Sequence, residues 1–490
     1  MLFYKYDHGR YRVAHLYPND KLLVTTTTLF SPTGGQAVDN PVEEALSRVE
    51  HPEAYRTVAR RGAHMCTFDM DPLVANRLQK QKTAVGRKLA KLWMQHPVDH
   101  APTIAHRLDR VTFYVQRPDE RDRLQKVLAG LPACRLPKRP YGKILGLLEG
   151  ARGCQLGIPV GYYNHLKKTV DESGAFLAGE DVELHRLHGE MTTLRGRAER
   201  LVSQHQGTLV EEGGNFFCRQ SKRSCTVRTV KRSRKNDVTF ELPELTVLSQ
   251  QFDLLRQEYA RRCDTKREVL SARTTPFVPT LEGLQEQMAE IDVFTSWAVV
   301  ATGWVRPTVS GRISLIQVRH PTTTVPNDIK MEVGEHRVLT GYIASGKSTV
   351  MRTVAAAVYL HQIGMYVPAR RAELPLFSGV YGVFHARDRR GSSTFAEHLG
   401  AIKRIVDHGD ARSLVFLDEL CNGTNVDEGF QVAQRILDRL KGRTVLVTTH
   451  LRGLGLGTDR WHLSQGYCLK RGESEERRAI EYGRRLGLYI

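Results

Sequence analysis

Gly341-Tyr342-Ile343-Ala344-Ser345-Gly346-Lys347-Ser348 reads G-x-x-x-x-G-K-S and follows the apolar pair Val338-Leu339, the end of an expected strand. Glycines in such a turn let several backbone N–H groups face one anion, Lys347 adds a point charge, and the Ser348 hydroxyl is a ligand for Mg²⁺. The next segment, Thr349 to Tyr359, is rich in Val and Ala and has no breaker. Read as a helix, it aims the positive end of its dipole at the same anion. Gly341, Ser345, Gly346, Lys347, Ser348 and Thr349 are therefore read as a phosphate cradle, against the plainer reading of a glycine turn before a helix.

Working outward, Leu414-Val415-Phe416-Leu417 is a short apolar run of buried-strand type that ends in Asp418-Glu419. Ligands of parallel sheets bind at strand ends. Asp418 is read as completing a Mg²⁺ shell with Ser348, and Glu419 as the base that orients and activates a water. A third run, Thr444-Val445-Leu446-Val447, ends in Thr448-Thr449-His450, where an imidazole senses the terminal phosphate. The plainer alternatives are a solvated strand cap for each carboxylate and a core role for the histidine.

Further pieces accompany these three. Arg319-His320-Pro321 and Pro326-Asn327-Asp328 precede the loop, and Ile363-Gly364-Met365-Tyr366-Val367-Pro368-Ala369 follows it. Ser392-Ser393-Thr394-Phe395 with Glu397, then Gly423-Thr424 and Gly429, complete the set, and no Leu-Ser-Gly-Gly is present. Together they make residues 301–490 resemble the ATPase domain of the MutS family of DNA mismatch-repair and recombination proteins, an ABC-type P-loop ATPase. The resemblance implies ATP and Mg²⁺ as ligands, a nucleotide sandwiched between two subunits in a homodimer or a heterodimer with another MutS-like chain, and Ser393 acting on the partner's γ-phosphate. It also implies an adenine-side contact from His462, for which a core role is the alternative. Two departures stand out. The family pattern has Pro-Asn-Met-Gly where this chain has Tyr342 to Ser345, so the expected Asn is Ile343, and the aromatic that stacks on adenine falls on Thr324.

Composition agrees with a polyanionic partner. Among 490 residues, 72 Lys and Arg outnumber 53 Asp and Glu, which gives a net charge of +19. No apolar stretch approaches the roughly 18 residues that span a bilayer, so no membrane partner is expected. Eight cysteines scattered without a C-x-x-C argue for a reducing compartment and against a zinc module. A soluble intracellular protein of nucleus or nucleoid is the expectation.

The fold class expected is α/β plus α-helical, in three parts. Residues 1–90 are read as a small α/β unit, a connector remnant, with a strand at Leu22–Thr25, a turn at Ser31–Gly35 and a strand at Thr67–Asp71. Residues 91–300 are read as a helical core and lever domain, and 301–490 as the ATPase. Leu184, Leu187, Met191, Leu194, Ala198 and Leu201 recur at steps of 3 and 4, and so do Leu245, Leu248, Phe252, Leu255 and Tyr259. Two such helices read as an antiparallel pair.

Between them, near 207–240, lies an insert where the family carries its clamp. Arg219, Lys222, Arg223, Arg228, Lys231, Arg232, Arg234 and Lys235 are eight cations with no acid among them. They are read as sequence-blind contacts to double-stranded DNA, against a solvated basic loop. No Phe-x-Glu occurs in the first 200 residues, so the family's N-terminal mismatch wedge is not expected, nor is its C-terminal helix-turn-helix. The function expected is an ATP-dependent DNA clamp of mismatch-repair type. A recombination or junction clamp and a non-catalytic ATP-gated scaffold for a nucleoprotein particle are the alternatives.

Overall fold

The computed structural model describes residues 2–7, 10–16, 22–27, 36–37, 72–95, 97–132, 141–177, 181–221, 230–233, 237–321, 323–341, 345–384, 394–421, 425–451, 453–454, 459–463 and 469–472. The chain forms two compact units, Met1–Ala129 with Glu286–Ile490 and, between them in sequence, Gly130–Gln285.

In the first unit, β1 (Leu2–Asp7), β2 (Arg10–Leu16), β3 (Leu22–Thr27) and β4 (Gln36–Ala37) make a sheet of order β3-β2-β1-β4. The first three pair antiparallel, with Tyr6 opposite Tyr11, and β4 runs parallel to β1. The expected strand at Leu22–Thr25 lies in β3, whereas the expected turn at 31–35 and strand at 67–71 lie outside the described residues. Among the described residues, four helices follow: α1 (Pro72–Leu78), α2 (Ala84–Gln95), α3 (Ala101–Gln116) and α4 (Pro118–Ala129). Pro118 divides the last two, because its ring cannot continue a helix but suits a first position.

The start of α2 is capped from far along the chain. Asp292 is fully buried, and its carboxylate accepts from the backbone of Lys82 and Thr83 and from the Thr83 hydroxyl at 2.7–2.9 Å. The Thr83 hydroxyl in turn accepts from Gly86 N. A buried carboxylate is tolerated here because three donors replace its water.

The second unit contains α5 (Tyr141–Gly153), α6 (Val160–Thr169), α7 (Val182–Gln204), the strands β5 (Thr208–Glu212), β6 (Asn215–Ser221), β7 (Val230–Ser233) and β8 (Asp237–Phe240), and the long helix α8 (Pro243–Thr274). Asp181 caps α7 by accepting from Glu183 N and Leu184 N, and it meets Lys266 near the far end of α8 at 2.9 Å. Ala198 and Val202, late in α7, share a core with Leu245 and Leu248, early in α8. The two helices are therefore antiparallel. The strands form an antiparallel sheet of order β5-β6-β8-β7 whose Phe216, Cys218 and Phe240 complete that core.

The chain returns to the first unit through α9 (Val278–Ala301). β9 (Thr308–Val309), β10 (Arg312–Val318), β11 (Asn327–Glu332) and β13 (Arg371–Leu374) build one sheet of order β11-β10-β13-β9. β12 (His336–Thr340), β14 (Gly379–Val383), β15 (Ser413–Leu417), β16 (Thr444–Thr448), β17 (Asp459–Leu463) and β18 (Leu469–Arg471) build another, of order β14-β15-β16-β12-β17-β18. This sheet is parallel except for its last strand. β14, β15 and β16 are buried at every position, as expected of strands covered on both faces. Its helices are α10 (Lys347–Gln362), α11 (Thr394–His408) and α12 (Val426–Arg439).

Helix α10 is anchored at its far end. The Gln362 side-chain amide donates to Val98 O and Phe377 O and accepts from Phe377 N, while Arg107 donates to Ile363 O. Arg107 is buried against the Trp93 ring at 4.1 Å, and burial lowers its pKa to about 10, so it stays charged. His361, beside Gln362, is fully buried with neither ring nitrogen hydrogen-bonded among the described residues. Burial pushes its pKa down to about 4, so it is neutral at pH 7.

Candidate site at the carboxyl edge of the parallel sheet

Strand order brings the three sequence signals together. β15, β16 and β12 are consecutive neighbours, so Asp418-Glu419, Thr449-His450 and Gly341 leave adjoining strands at one edge. After Gly341, α10 begins at Lys347. Residues 342–344, Ile343 among them, lie outside the described residues. Gly346 caps α10 at φ 96°, in the left-handed region where a side chain is strained, and Gly341 has φ 151°. A Cβ on Gly341 would also stand 2.8 Å from Ser345 Oγ.

Lys347, the first residue of α10, is buried and donates from Nζ to Gly341 O at 3.1 Å. Burial lowers its pKa, and the charges of Glu419 and Asp418 oppose that shift. Ser348 Oγ donates to Asp418 Oδ1 at 2.9 Å, and Thr448 Oγ1 donates to the same oxygen at 2.7 Å. Thr448 Oγ1 also accepts from Glu419 N at 2.7 Å. One strand-end hydroxyl thus fixes both members of the acidic pair. Glu419 adopts φ 51°, uncommon for a residue with a side chain, and its Oε1 lies 3.8 Å from His450 Nε2. Burial and the nearby Lys347 hold the His450 pKa below its ordinary value, only partly offset by Glu419, so the ring is neutral at pH 7. Thr349 is exposed on the first turn of α10.

Among the described residues outside the insert, the remaining candidates are His462 and Thr324. His462 is on β17 opposite Thr340, half-buried, with Nδ1 facing Gly472 O at 3.3 Å. Thr324 is exposed, and Ser393 lies outside the described residues. In Pro326-Asn327-Asp328 both side chains have local tasks. Asn327 Oδ1 accepts from Leu469 N, which joins β11 to β18, and Asp328 Oδ1 accepts from Gln317 N at the bulge in β10.

In the insert, Arg219 sits half-buried on β6 opposite Thr208, and Arg232 is exposed on β7, 3.4 Å from Glu212. Lys231 is described only by its backbone in β7; Lys222, Arg223, Arg228, Arg234 and Lys235 lie outside the described residues. Thr448 is the residue that motif reading passed over. Its one signal was a hydroxyl closing an apolar strand beside the acidic pair.

A parallel sheet with a glycine turn, a buried lysine and an acidic pair at its carboxyl edge defines the class of α/β domains that take their ligand at strand ends. Residues 337–480 match the family model of MutS domain V. The chain is 29% identical over 426 residues to the DNA mismatch repair protein MutS of Thermus thermophilus, covering 76% of this chain and 52% of that one. The MutS of Lactococcus lactis subsp. cremoris is 25% identical over 446 residues, 77% of this chain and 53% of the relative. The MutS of Ruminiclostridium cellulolyticum is 26% identical over 478 residues, 81% and 54%. Residues 337–480 thus match MutS domain V, the chain is similar to MutS proteins over about three quarters of its length, and it spans about half the length of these curated relatives.

Proposed function

We propose that this chain binds and hydrolyses ATP at the carboxyl edge of the parallel sheet and uses that cycle to control a clamp on double-stranded DNA in mismatch repair. The observation that carries the reading is the chain of bonds Ser348–Asp418–Thr448–Glu419 beside the buried Lys347. That donor set suits a nucleotide phosphate with Mg²⁺. Ser348 and Asp418 offer hard oxygen ligands, and the Gly341 turn leaves a cradle that a Cβ would fill. Mg²⁺ held there neutralises phosphate charge.

The chain's own residues do the rest. The backbone N–H groups at the start of α10 and the Lys347 ammonium hold the phosphate oxygens. Glu419, free of any metal role, orients a water and takes its proton at a carboxylate oxygen. His450, held neutral, donates or accepts one hydrogen bond without adding a second cation beside Lys347. Ser393 supplies the partner subunit's site in a homodimer or heterodimer, and the cations of the 219–235 insert hold the DNA backbone. Among the described residues, no helix is long and apolar enough to cross a membrane. A DNA partner places the chain in the nucleus or nucleoid.

Steady-state ATP turnover, measured alone and with matched, mismatched and branched duplexes, tests the proposal. Turnover stimulated most by mismatched duplex is the expected result. Stimulation by branches alone would replace repair with recombination, and no turnover under any condition would overturn the hydrolytic reading in favour of an ATP-gated scaffold.

A further inference from the structure

We propose that the exposed face of α2, through Lys80, Lys82, Lys88 and Lys91, is a second contact for the phosphate backbone of duplex DNA, an inference that rests on the DNA-clamp reading above. Residues 72–98 hold six cations and no acid. The four lysines and Arg87 are exposed, and Arg87 donates to the carbonyls of Gln81 and Lys82. Among the described residues, none of the lysines has an acidic partner. The exposed arginines of α7 and α8 are arranged otherwise: Arg186, Arg256, Arg261 and Arg267 each meet an acid three residues away at 2.6–2.8 Å.

Such a face is unfavourable in the free protein for two reasons. Lys91 repels Arg87 and Lys88, its neighbours one turn back along the helix. Lys80, Lys82 and Arg87 crowd the positive end of the α2 dipole, where anions are preferred, and the first turn holds no acid. Asp292 caps that end from the buried side and bonds the backbone of Lys82, not its ammonium. A polyanion laid along the face relieves both repulsions. The lysines are also held in place, because Gly86, Ala90, Trp93 and Met94 bury the opposite side of α2. A Cβ on Gly86 would collide with the Asp292 carboxylate, and Trp93 packs on Phe294 and Trp297 at 5.4 and 5.7 Å between ring centroids. Chemistry selects the partner. Lysines are point charges without the planar fork that reads a base edge, which suits sequence-blind phosphate contact. A bilayer or a protein partner calls for apolar anchors, and the one large apolar side chain exposed on α2 is Val85, at 36%.

The test compares the full chain with two quadruple variants of equal net charge. One is Lys80→Gln/Lys82→Gln/Lys88→Gln/Lys91→Gln, and the other, Arg186→Gln/Arg256→Gln/Arg261→Gln/Arg267→Gln, loses its charge from paired positions. Each is titrated at equilibrium with a matched duplex over a range of salt and with vesicles containing phosphatidylserine, and its melting is measured. In the lysine variant the log–log salt slope is expected to flatten by about 0.9 for each contact removed, roughly 2.7–3.6 for three or four, with affinity at about 0.1 M salt down tenfold or more. Its melting temperature is expected to hold or rise, because like-charge repulsion is gone. The arginine variant is expected to keep the wild-type slope. Wild-type slope and affinity in the lysine variant overturn the inference alone. Equal flattening in the arginine variant also overturns it, by assigning the effect to net charge. Vesicle binding lost in the lysine variant while duplex binding stands overturns it in favour of a lipid surface. Wild type that binds no duplex at any salt overturns the DNA reading and the inference with it.

Discussion

Thr448 is the smallest feature on which the site depends, since its hydroxyl gives a proton to Asp418 and takes one from Glu419 N. Thr448→Val keeps the shape and leaves both partners short of a bond. We expect ATP turnover to fall by about tenfold to a hundredfold with a smaller change in KM, measured by steady-state kinetics, because positions near reacting atoms are sensitive to small displacements. Glu419→Gln keeps the volume and removes the proton acceptor. Turnover should fall by roughly a hundredfold or more while equilibrium ATP binding persists, and unchanged turnover would remove Glu419 from the role of base.

His361 gives a pH prediction. Its folded pKa of about 4 lies below the unfolded value near 6.5. The unfolded chain therefore binds more protons between those values, and stability present above pH 6.5 is lost as pH falls toward 4. The loss approaches about 3 kcal/mol, read as denaturant midpoints across pH, and His361→Leu should flatten that part of the profile. At this scale the loop, the acidic pair and His450 were legible because motif spacing encodes them. Thr448, Asp292 and His361 were not, since what makes each notable is a neighbour or a burial distant in sequence.

At the scale of elements, α7 and α8 show what sequence periodicity reports and what it omits. Leu184, Leu187, Leu194 and Ala198 are buried as the stripe implied, as are Leu245, Leu248 and Phe252. Met191, Leu201 and Leu255 are only partly buried and pack at the border of that core, while Val202, outside the stripe, is buried. A heptad pattern assumes that one helix faces another. Here β6 and β8 share the face, and Phe216 meets Phe252 at 4.7 Å between ring centroids. Phe252→Ala should cost about 3–5 kcal/mol, seen as lost hydrogen-exchange protection in both α7 and the β5–β8 sheet. Protection lost in α8 alone would show that helix and sheet do not share a core. Gln362→Leu should destabilise by about 3 kcal/mol in chemical denaturation, since Val98 O and Phe377 O lose a donor and Phe377 N an acceptor, all within the buried end of α10.

For the whole molecule, net charge pointed to a polyanion before any fold was known, and it also sets a measurable slope. If four to six cations of the 219–235 insert each meet a phosphate, log affinity for duplex DNA falls with log salt at roughly −3.5 to −5.5. A slope near zero in equilibrium titrations would remove the insert from the backbone. The parallel sheet was readable because three apolar runs each ended in a chemically distinctive residue. The sheet of β9, β10, β11 and β13 was less so, because β9 is two residues long and β10 carries a bulge whose closure by Asp328 depends on a partner strand.

The left-handed backbone at Glu419 carries one consequence further. An acidic side chain in that conformation is held by the surrounding fold against its own preference, at about 1 kcal/mol. Glycine at 419 would release that tension, so Glu419→Gly is expected to melt no lower than the native chain while losing any turnover that depends on the carboxylate. On the hydrolytic reading, durability and turnover pull in opposite directions at this one peptide unit.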